Sequence, residues 1–547
     1  MQPFKICKPY LLSHKYTLTI YIVIVLLVAA VGIISPYVIG DFLDSLIAGG
    51  NIGVIIRFCI IFGSLSLSKL IMNYVVTMMH VKMHLSMRFA FSMDVIRHIQ
   101  DLSLSYINKE DNAYLSSKIN GDTGSLIGYC IGVMQNIITN VMLLIVPFVI
   151  LLHMNWLTAV MLLSFFVAYA GFYYVFKKPL YDVGLAYREK IDKLMSKMLE
   201  QLRYARLIKL NSAQKDINER ANVAYEGYRD IAIHSRRIHY LYSGLDNIIS
   251  TIAQIALFLV GGIQILRGDF TIGMFTIFAS YFNMMLGAGK YFFGLGASYQ
   301  STLASYDRIK EILEKRTESN GSTAIQSINK MELCGLGFSY DNSCKKAICN
   351  FEATFTKGRI YAISGANGAG KSTLISLIMG MYIDEYQGVI TYDGTDIRNI
   401  DMKSVRRDLI GFSEQEPSLV NDTIGYNILL GQRDADTGNA RYFDKKHFGS
   451  CLSILGMEDF IAKNGLDFEV NDKNNNTSGG EKQKISILKV LYKNPAVMIF
   501  DEPTSALDAD AVEGFMSYLC EIRNDRIIII VTHDEAVKRM CTDVFAI

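Results

Sequence analysis

The sequence predicts two halves of different fold class: an all-α membrane domain of six transmembrane helices with long helical extensions, followed by an α/β domain. Charged residues are only 19% of the 547 residues, against roughly 25% in ordinary soluble proteins. The N-terminal half contains long apolar runs, whereas the C-terminal half alternates short apolar segments with polar ones. The net charge of +2 gives no electrostatic reason to expect nucleic-acid binding.

Six segments of the N-terminal half are long enough and apolar enough to cross a lipid bilayer as helices. They cover residues 16–40, 54–80, 131–152, 156–176, 247–266 and 271–295. The first apolar stretch is longer than the core of a signal peptide, and no small-residue cleavage pattern follows it. We therefore expect it to remain in the protein as a span.

The distribution of basic residues predicts that both termini face the cytosol, with the spans in the cytoplasmic (inner) membrane. Three lysines and no acid precede the first span, and the connection 177–245 holds 14 Lys or Arg. The loops 41–53 and 153–155 contain no Lys or Arg, as the positive-inside rule requires of outer loops.

The two inner connections, 81–130 and 177–245, are long and are predicted to be helical arms in the cytosol. Their length corresponds to a projection of roughly 30–37 Å at 1.5 Å per residue. We expect the tips of the arms, near 120–126 and 211–217, to contact the α/β half.

Three features of the membrane half allow two interpretations each. Lys69, midway along the second span, is either functional or a cation that faces a water-filled cavity without specificity. One helical face carries methionines and histidines, which resemble the ligands of a soft metal ion. Packing is the better explanation, because the face contains no cysteine thiolate. That face consists of Met79, His80, Met83, His84 and Met87. The aromatic-rich last span fits either a cavity wall for an amphipathic substrate or core packing.

Composition places the boundaries of the two halves. We expect the membrane half to cover residues 1–316 and a linker rich in Ser, Asn and Gly to cover 317–328. From 329 to 547 the sequence alternates strands, loops and helices, as an α/β domain does.

A glycine loop lies between a predicted strand, 359–364, and the start of a predicted helix, 374–379. The loop reads Gly365-Ala366-Asn367-Gly368-Ala369-Gly370-Lys371-Ser372-Thr373, which is the P-loop pattern in its required context. The glycines let backbone N–H groups surround phosphates, aided by the helix N-terminus. Lys371 is expected to neutralise the outer phosphates of ATP, and the Ser372 hydroxyl to bind magnesium.

Two adjacent carboxylates, Asp501 and Glu502, follow the buried strand predicted over 497–500. They lie at the carboxyl end of the strand, where α/β proteins form their ligand sites. Asp501 is expected to hold magnesium, and Glu502 to activate the attacking water as general base. His533 follows a second apolar strand, and we expect it to reach the γ-phosphate from the same sheet edge.

These motifs, in this order after six spans, resemble those of ATP-binding cassette exporters of the half-transporter type, which have the type IV exporter fold. The resemblance implies that Tyr340 stacks on adenine. It also implies that Gln415 binds magnesium and contacts the membrane domain, that Asp508 belongs to the D-loop, and that Asp472 is the acidic cross-loop residue.

The segment Thr477-Ser478-Gly479-Gly480-Glu481 matches the signature of these exporters. The resemblance implies that it binds the γ-phosphate held by the P-loop of a partner chain. The segment departs from the familiar pattern at Thr477, where leucine is usual, and at Glu481, where glutamine is frequent. Because Glu502 is retained, we expect both sites of a homodimer to hydrolyse ATP.

The resemblance implies magnesium-dependent ATP hydrolysis that drives export across the membrane by alternating access. We expect a second copy of the chain as partner, with a heterodimer as the alternative. Exporters of this shape carry bacterial peptides and also lipids or drugs, and we favour a peptide cargo. A membrane regulator gated by ATP without transport is a further alternative. A soluble cassette protein is contradicted by the six spans.

Overall fold

The computed structural model describes residues 2–109, 112–154, 156–340, 346–366, 368–431, 444–470 and 476–547. The chain divides into two compact units. The first unit is Met1–Arg97 with Asn112–Glu314, and the second is His98–Asp111 with Lys315–Ile547. The second unit therefore contains a short piece of the N-terminal half in addition to the α/β half.

The described part of the N-terminal half consists of helices joined by short loops. Its helices are α1 (Gln2–Ser13), α2 (Lys15–Ile47), α3 (Ile52–Gln100), α4 (Leu104–Lys109), α5 (Asn112–Met154), α6 (Trp156–Arg203), α7 (Ala205–Leu210), α8 (Gln214–Leu266) and α9 (Ile272–Leu313). Among the described residues, five helices are long and apolar enough to cross a membrane: α2, α3, α5, α8 and α9. They contain five of the predicted spans, and the remaining one lies in helical α6, many of whose side chains fall outside the described residues.

The core of the first unit lies where α9 packs against α2 and α5. Phe278, Tyr281, Phe282 and Met285 are buried there, at the spacing that puts side chains on one face of a helix. The Tyr281 hydroxyl donates a hydrogen bond to the Ile33 carbonyl oxygen at 2.9 Å. At these four positions the contacts favour core packing over a cavity wall.

The methionine and histidine face of α3 also packs inside the first unit. Met83 and Met87 are fully buried. His80 Nδ1 lies 3.1 Å from the Tyr21 hydroxyl. Over the described part of the chain, no three His, Cys, Asp or Glu side chains gather into a candidate metal site. Lys69 is half-buried with its ammonium beside α2, and its role stays a prediction.

Helices α2 and α9 cross in close backbone contact near the loop that precedes α9. The Asp44 carboxylate accepts hydrogen bonds from the Thr271 hydroxyl at 2.6 Å and from the Gly273 amide at 2.7 Å. Thr271 is the N-cap of α9 and accepts from the Met274 amide at 3.0 Å. A Cβ atom at Gly273 would overlap the Gly40 carbonyl oxygen and the Asp44 carboxylate. The crossing therefore requires glycine at this position.

Gly273→Ala is expected to destabilise the first unit by about 2–3 kcal/mol, because the added methyl group meets backbone and a bonded carboxylate that cannot yield easily. The measurement is the thermal unfolding midpoint of the purified protein in detergent. Gly262→Ala in α8 is the matched control, since a Cβ there meets nothing within 4 Å. Equal midpoints for the two variants would contradict the close crossing.

The described residues of the second unit form two sheets. Its strands are β1 (Lys330–Phe338), β2 (Ile348–Thr356), β3 (Arg359–Ser364), β4 (Gln387–Tyr392), β5 (Thr395–Asp396), β6 (Ile410–Ser413), β7 (Val497–Asp501), β8 (Ile527–Val531) and β9 (Asp543–Ala546). The order β2-β1-β4-β5 forms an antiparallel sheet, and β6-β7-β8-β3-β9 forms a parallel sheet. Strands β7 and β8 are buried at every position, as expected inside a parallel sheet covered on both faces.

In the described part of the C-terminal half, eight α-helices accompany these strands. They are α10 (Lys371–Ile378), α11 (Met402–Asp408), α12 (Ile424–Ile428), α13 (Lys445–Ile454), α14 (Glu458–Asn464), α15 (Gly479–Lys493), α16 (Ala509–Ile522) and α17 (Glu535–Met540). Because β3, β7 and β8 run parallel, their carboxyl ends meet at one edge of the sheet. That edge carries the sequence motifs described above.

The segment of the arm that belongs to the second unit is His98–Asp111, which contains α4. Asp101 accepts a hydrogen bond from Lys403 Nζ at 2.5 Å, and Ser105 donates one to Glu385. The predicted arm tip at 120–126 instead lies in α5 of the first unit, where Thr123 is buried. The prediction for this tip was wrong, because the residues of the arm that belong to the second unit are His98–Asp111. The segment 211–217 joins α7 to α8 in the first unit.

Candidate active site

The glycine loop joins β3 to α10 at the carboxyl edge of the parallel sheet. Gly370 has a φ of 103° and is the N-cap of α10, and Gly368 has a φ of 80°. A Cβ atom at Gly370 would overlap the Ala347 carbonyl oxygen. Glycine is the residue that adopts this conformation without strain. The loop thereby presents the free N–H groups at the start of α10. Asn367 lies outside the described residues.

Lys371 is the first residue of α10 and is largely buried. Its ammonium donates hydrogen bonds to the carbonyl oxygens of Gly365 at 2.9 Å and Ala366 at 3.2 Å. It lies 2.8 Å from His533 Nε2, which accepts the third donor of the ammonium. Lys371, which we expect to bind phosphates, is therefore held in place by the glycine loop and by His533. His533 is the residue that we expect to reach the γ-phosphate.

Ser372 and Asp501 come together from different elements. Asp501 ends β7 and is paired in register with Val531 of β8. The Ser372 hydroxyl donates to Asp501 Oδ2 at 3.1 Å. Burial raises the pKa of Asp501, and the hydrogen bond from Ser372 opposes that shift. A desolvated carboxylate of this kind is stabilised strongly by a nearby cation.

Glu502 lies at the same edge, beside two side chains predicted from the sequence. Gln415 Nε2 donates to Glu502 Oε2 at 2.8 Å, and His533 Nε2 lies 3.4 Å from Glu502 Oε1. Glu502 has a φ of 47°, in the left-handed region that is uncommon for residues other than glycine. Backbone conformations of this kind concentrate at functional sites. The structure thus brings Gln415, Glu502 and His533 into one cluster with Lys371.

Gln483 is a component of this cluster that the sequence reasoning missed. It lies in α15 and is 4% exposed. Its Nε2 donates to the Glu502 carbonyl oxygen at 2.8 Å, and its Oε1 accepts from the Ser505 hydroxyl at 2.9 Å. The only sequence signal was its position five residues after Ser478, on the helix that begins at the signature.

The signature forms the N-terminus of α15 as a capping box. Ser478 is the N-cap and its Oγ accepts from the Glu481 amide at 3.2 Å, while Glu481 Oε2 accepts from the Ser478 amide at 2.6 Å. Glu481 therefore has a structural role at the position where glutamine is frequent in the resembling exporters. Ser478 and Gly479 are exposed, and Gly480 is half-exposed. Among the described residues, no hydrogen bond joins these three to the P-loop.

Tyr340 lies over the P-loop with 43% of its surface exposed. Its hydroxyl is 2.8 Å from Thr373 Oγ1, and its ring makes an edge contact with Phe338 at 4.9 Å between centroids. Asp508 is the N-cap of α16 and accepts from the Ala511 amide at 2.9 Å. Asp472 falls outside the described residues.

Comparisons with known families match both halves of the chain. The family described as the ABC transporter transmembrane region matches residues 18–288, and the family described as ABC transporter matches residues 348–505. The chain belongs to the ABC transporters. It is a half-transporter with an N-terminal membrane domain and a C-terminal nucleotide-binding domain, so the predicted fold class is confirmed. It is an ATPase coupled to transport.

The relatives of this ABC transporter include exporters of different cargo. It is 26% identical over 441 residues to the ATP-dependent lipid A-core flippase of Syntrophus aciditrophicus (strain SB), covering 80% of this chain and 71% of the relative. It is 29% identical over 299 residues to the β-(1→2)glucan export ATP-binding/permease protein NdvA of Rhizobium meliloti (strain 1021), covering 54% of this chain and 49% of the relative. The similarity supports the exporter function and leaves the cargo open.

The fold of the transporter is similar to that of a bacterial Atm1-family ABC exporter with ATP bound. The TM-score is 0.84 at 21% sequence identity, over 98% of this chain and 93% of the solved chain. The two chains therefore share the exporter fold along nearly their whole length.

Proposed function

We propose that the chain is an exporter that works as a homodimer and hydrolyses ATP at two sites shared between the copies. The observation that supports this proposal is that, among the described residues, no hydrogen bond joins the signature to the P-loop. Lys371, Ser372 and Asp501 gather at the sheet edge, whereas Ser478 caps an exposed helix end elsewhere in the same unit. Each motif is half of a site that a second copy completes, which is the reason for a symmetric dimer.

The donor set at the sheet edge fits magnesium. A serine hydroxyl, a carboxylate and an amide oxygen are hard oxygen ligands of the type that Mg²⁺ prefers. Ser372, Asp501 and Gln415 supply them, and the buried Asp501 carboxylate gains most from a cation. When bound, magnesium would neutralise charge on the β- and γ-phosphates. Lys371 and the N–H groups of α10 would hold the remaining phosphate oxygens.

Glu502 is proposed as the general base for the attacking water. The hydrogen bond from Gln415 fixes the orientation of its carboxylate. Gln483 fixes the Glu502 backbone from the signature helix. A general base needs this placement before its pKa matters. Because of this hydrogen bond, movement of α15 would shift the Glu502 backbone and, with it, the carboxylate.

ATP binding between two copies would close the nucleotide-binding domains, and hydrolysis would separate them. The first unit would respond by changing the side of the membrane to which it opens. We propose that the protein lies in the cytoplasmic membrane with both termini in the cytosol, since basic residues concentrate on that side of the spans.

The cargo we favour from the sequence is a peptide, and the runner-up is a lipid or another amphipathic compound. The similarity to a lipid A-core flippase supports the second class. A regulator gated by ATP would show nucleotide-dependent change in conformation without flux.

The test uses inside-out vesicles that contain the full-length protein. ATP-dependent uptake of a labelled hydrophobic peptide, of a labelled lipid-linked saccharide and of an amphipathic dye is measured in parallel, with Glu502→Gln vesicles as control. Uptake of one class that the variant loses supports export and names the cargo. Stimulated ATP hydrolysis with no uptake of any class would overturn export in favour of the regulator.

A further inference from the structure

Helix α1 lies against the first unit as an amphipathic helix. Pro3, Cys7 and Leu11 are buried at intervals of four residues, which is the spacing of one helical face. Contacts with α5 and α9 cover that face. Lys5 and Lys8 are exposed on the remaining surface. Because α2 begins at Lys15 as the first span, α1 is placed at the end of that span, at the level of the lipid headgroups.

A groove of about 470 Å³ runs beside α1, α2 and α5. Its apolar lining includes Phe4, Leu12, Leu18 and Met134. Phe4 is fixed by an edge contact with Tyr129 of α5 at 6.4 Å between ring centroids. These side chains present a continuous apolar surface that begins at α1 and continues onto the first turns of the span. Such a surface accommodates an acyl chain.

The rim of the groove is cationic. Lys8 and Lys15 line it, and the lining contains no acid among the described residues. The Lys15 ammonium lies 5.1 Å from the centroid of the Tyr16 ring. Over the described chain, neither lysine takes part in an ion pair. The acid Asp94 of α3 is engaged by the Tyr10 hydroxyl at 2.8 Å and by Arg97 at 3.1 Å.

We propose that this groove binds an anionic phospholipid from the leaflet that faces the N-terminus, with its phosphate between Lys8 and Lys15 and one acyl chain along the apolar lining. The charge of the rim selects the anionic headgroup, and the apolar length selects a lipid over a soluble phosphate. The site lies outside the ATP-binding edge and does not depend on the nature of the cargo. Two lysines at a membrane surface favour anionic lipid by about 1 kcal/mol each.

The experiment measures binding of spin-labelled phosphatidylglycerol and phosphatidylcholine, with the same acyl chains, to the full-length protein in nanodiscs. The wild-type protein is expected to immobilise phosphatidylglycerol in preference to phosphatidylcholine. Lys8→Gln and Lys15→Gln should each weaken phosphatidylglycerol binding about 5-fold, and the double variant about 25-fold. Lys5→Gln is the matched control, because it removes the same charge from the same helix outside the groove.

Thr19→Phe tests the groove itself, since Thr19 lines it and a larger ring would fill the acyl path without removing a charge. It should reduce immobilisation of phosphatidylglycerol, while basal ATP hydrolysis reports that each variant is folded. An equal loss in Lys5→Gln and in Lys8→Gln or Lys15→Gln would overturn the site in favour of diffuse surface charge. Full competition by inorganic phosphate would overturn the lipid assignment, as would unchanged binding in Thr19→Phe.

Discussion

Glu502→Gln is expected to lower kcat for ATP hydrolysis by about 100-fold or more, the usual contribution of a general base. ATP binding should persist, because the glutamine side chain has the same shape and its oxygen can still accept the hydrogen bond from Gln415. The phosphate-binding groups Lys371 and Ser372 are unchanged. The measurement pairs steady-state hydrolysis with binding of a fluorescent ATP analogue to the purified transporter.

Glu513→Gln is the control for this prediction. Glu513 is exposed on α16, so its replacement makes the same chemical change away from the sheet edge. Its hydrolysis rate should equal that of the wild-type protein. Hydrolysis by Glu502→Gln within a few-fold of the wild-type rate would show that another group activates the water.

Mixed dimers should distinguish sites shared between copies from sites complete within one copy. If each site combines Lys371 of one chain with Ser478 of the other, pairing a Lys371→Ala chain with a Ser478→Arg chain leaves one intact site. Placing both substitutions in one chain beside a wild-type chain leaves no intact site. The first dimer should retain about half of the wild-type hydrolysis, and the second almost none. Two affinity tags isolate each mixed dimer before its hydrolysis is measured.

The two mixed dimers contain the same substitutions and differ only in their arrangement, so each is the control for the other. Loss of the Ser478 cap weakens α15 by about 1 kcal/mol in both. If one chain held a complete site, the dimer with a wild-type chain would be the active one. That reversed order of activities would contradict the homodimer with shared sites.

The sequence was most informative where motif residues end strands. Three different strands end at or shortly before Lys371, Asp501, Glu502 and His533. Parallel pairing of those strands brings the side chains to one edge. The prediction needed only the rule that carboxyl ends of parallel strands coincide. The order and direction of the strands determine which strand ends lie together. The alternation of strands and helices along the sequence predicts that parallel arrangement.

The sequence was less informative where a side chain acts through tertiary contact. Gln483 has no motif of its own, and its role depends on the distance between α15 and the loop after β7. The left-handed φ of Glu502 is likewise imposed by its surroundings, since glutamate has no preference for it. The arm segment at α4 was missed because helical periodicity does not show where a long helix stops and turns back.

The three hydrogen bonds of Lys371 make ATP entry an exchange reaction. The ammonium already has a partner for each of its donors in Gly365, Ala366 and His533. An incoming phosphate replaces those partners, so the net gain is smaller than the gross strength of the new contacts. The released His533 becomes available to the phosphate at the same moment. The internal hydrogen bonds of Lys371 therefore lower the affinity for nucleotide. The same bonds re-form when the product leaves, which favours product release.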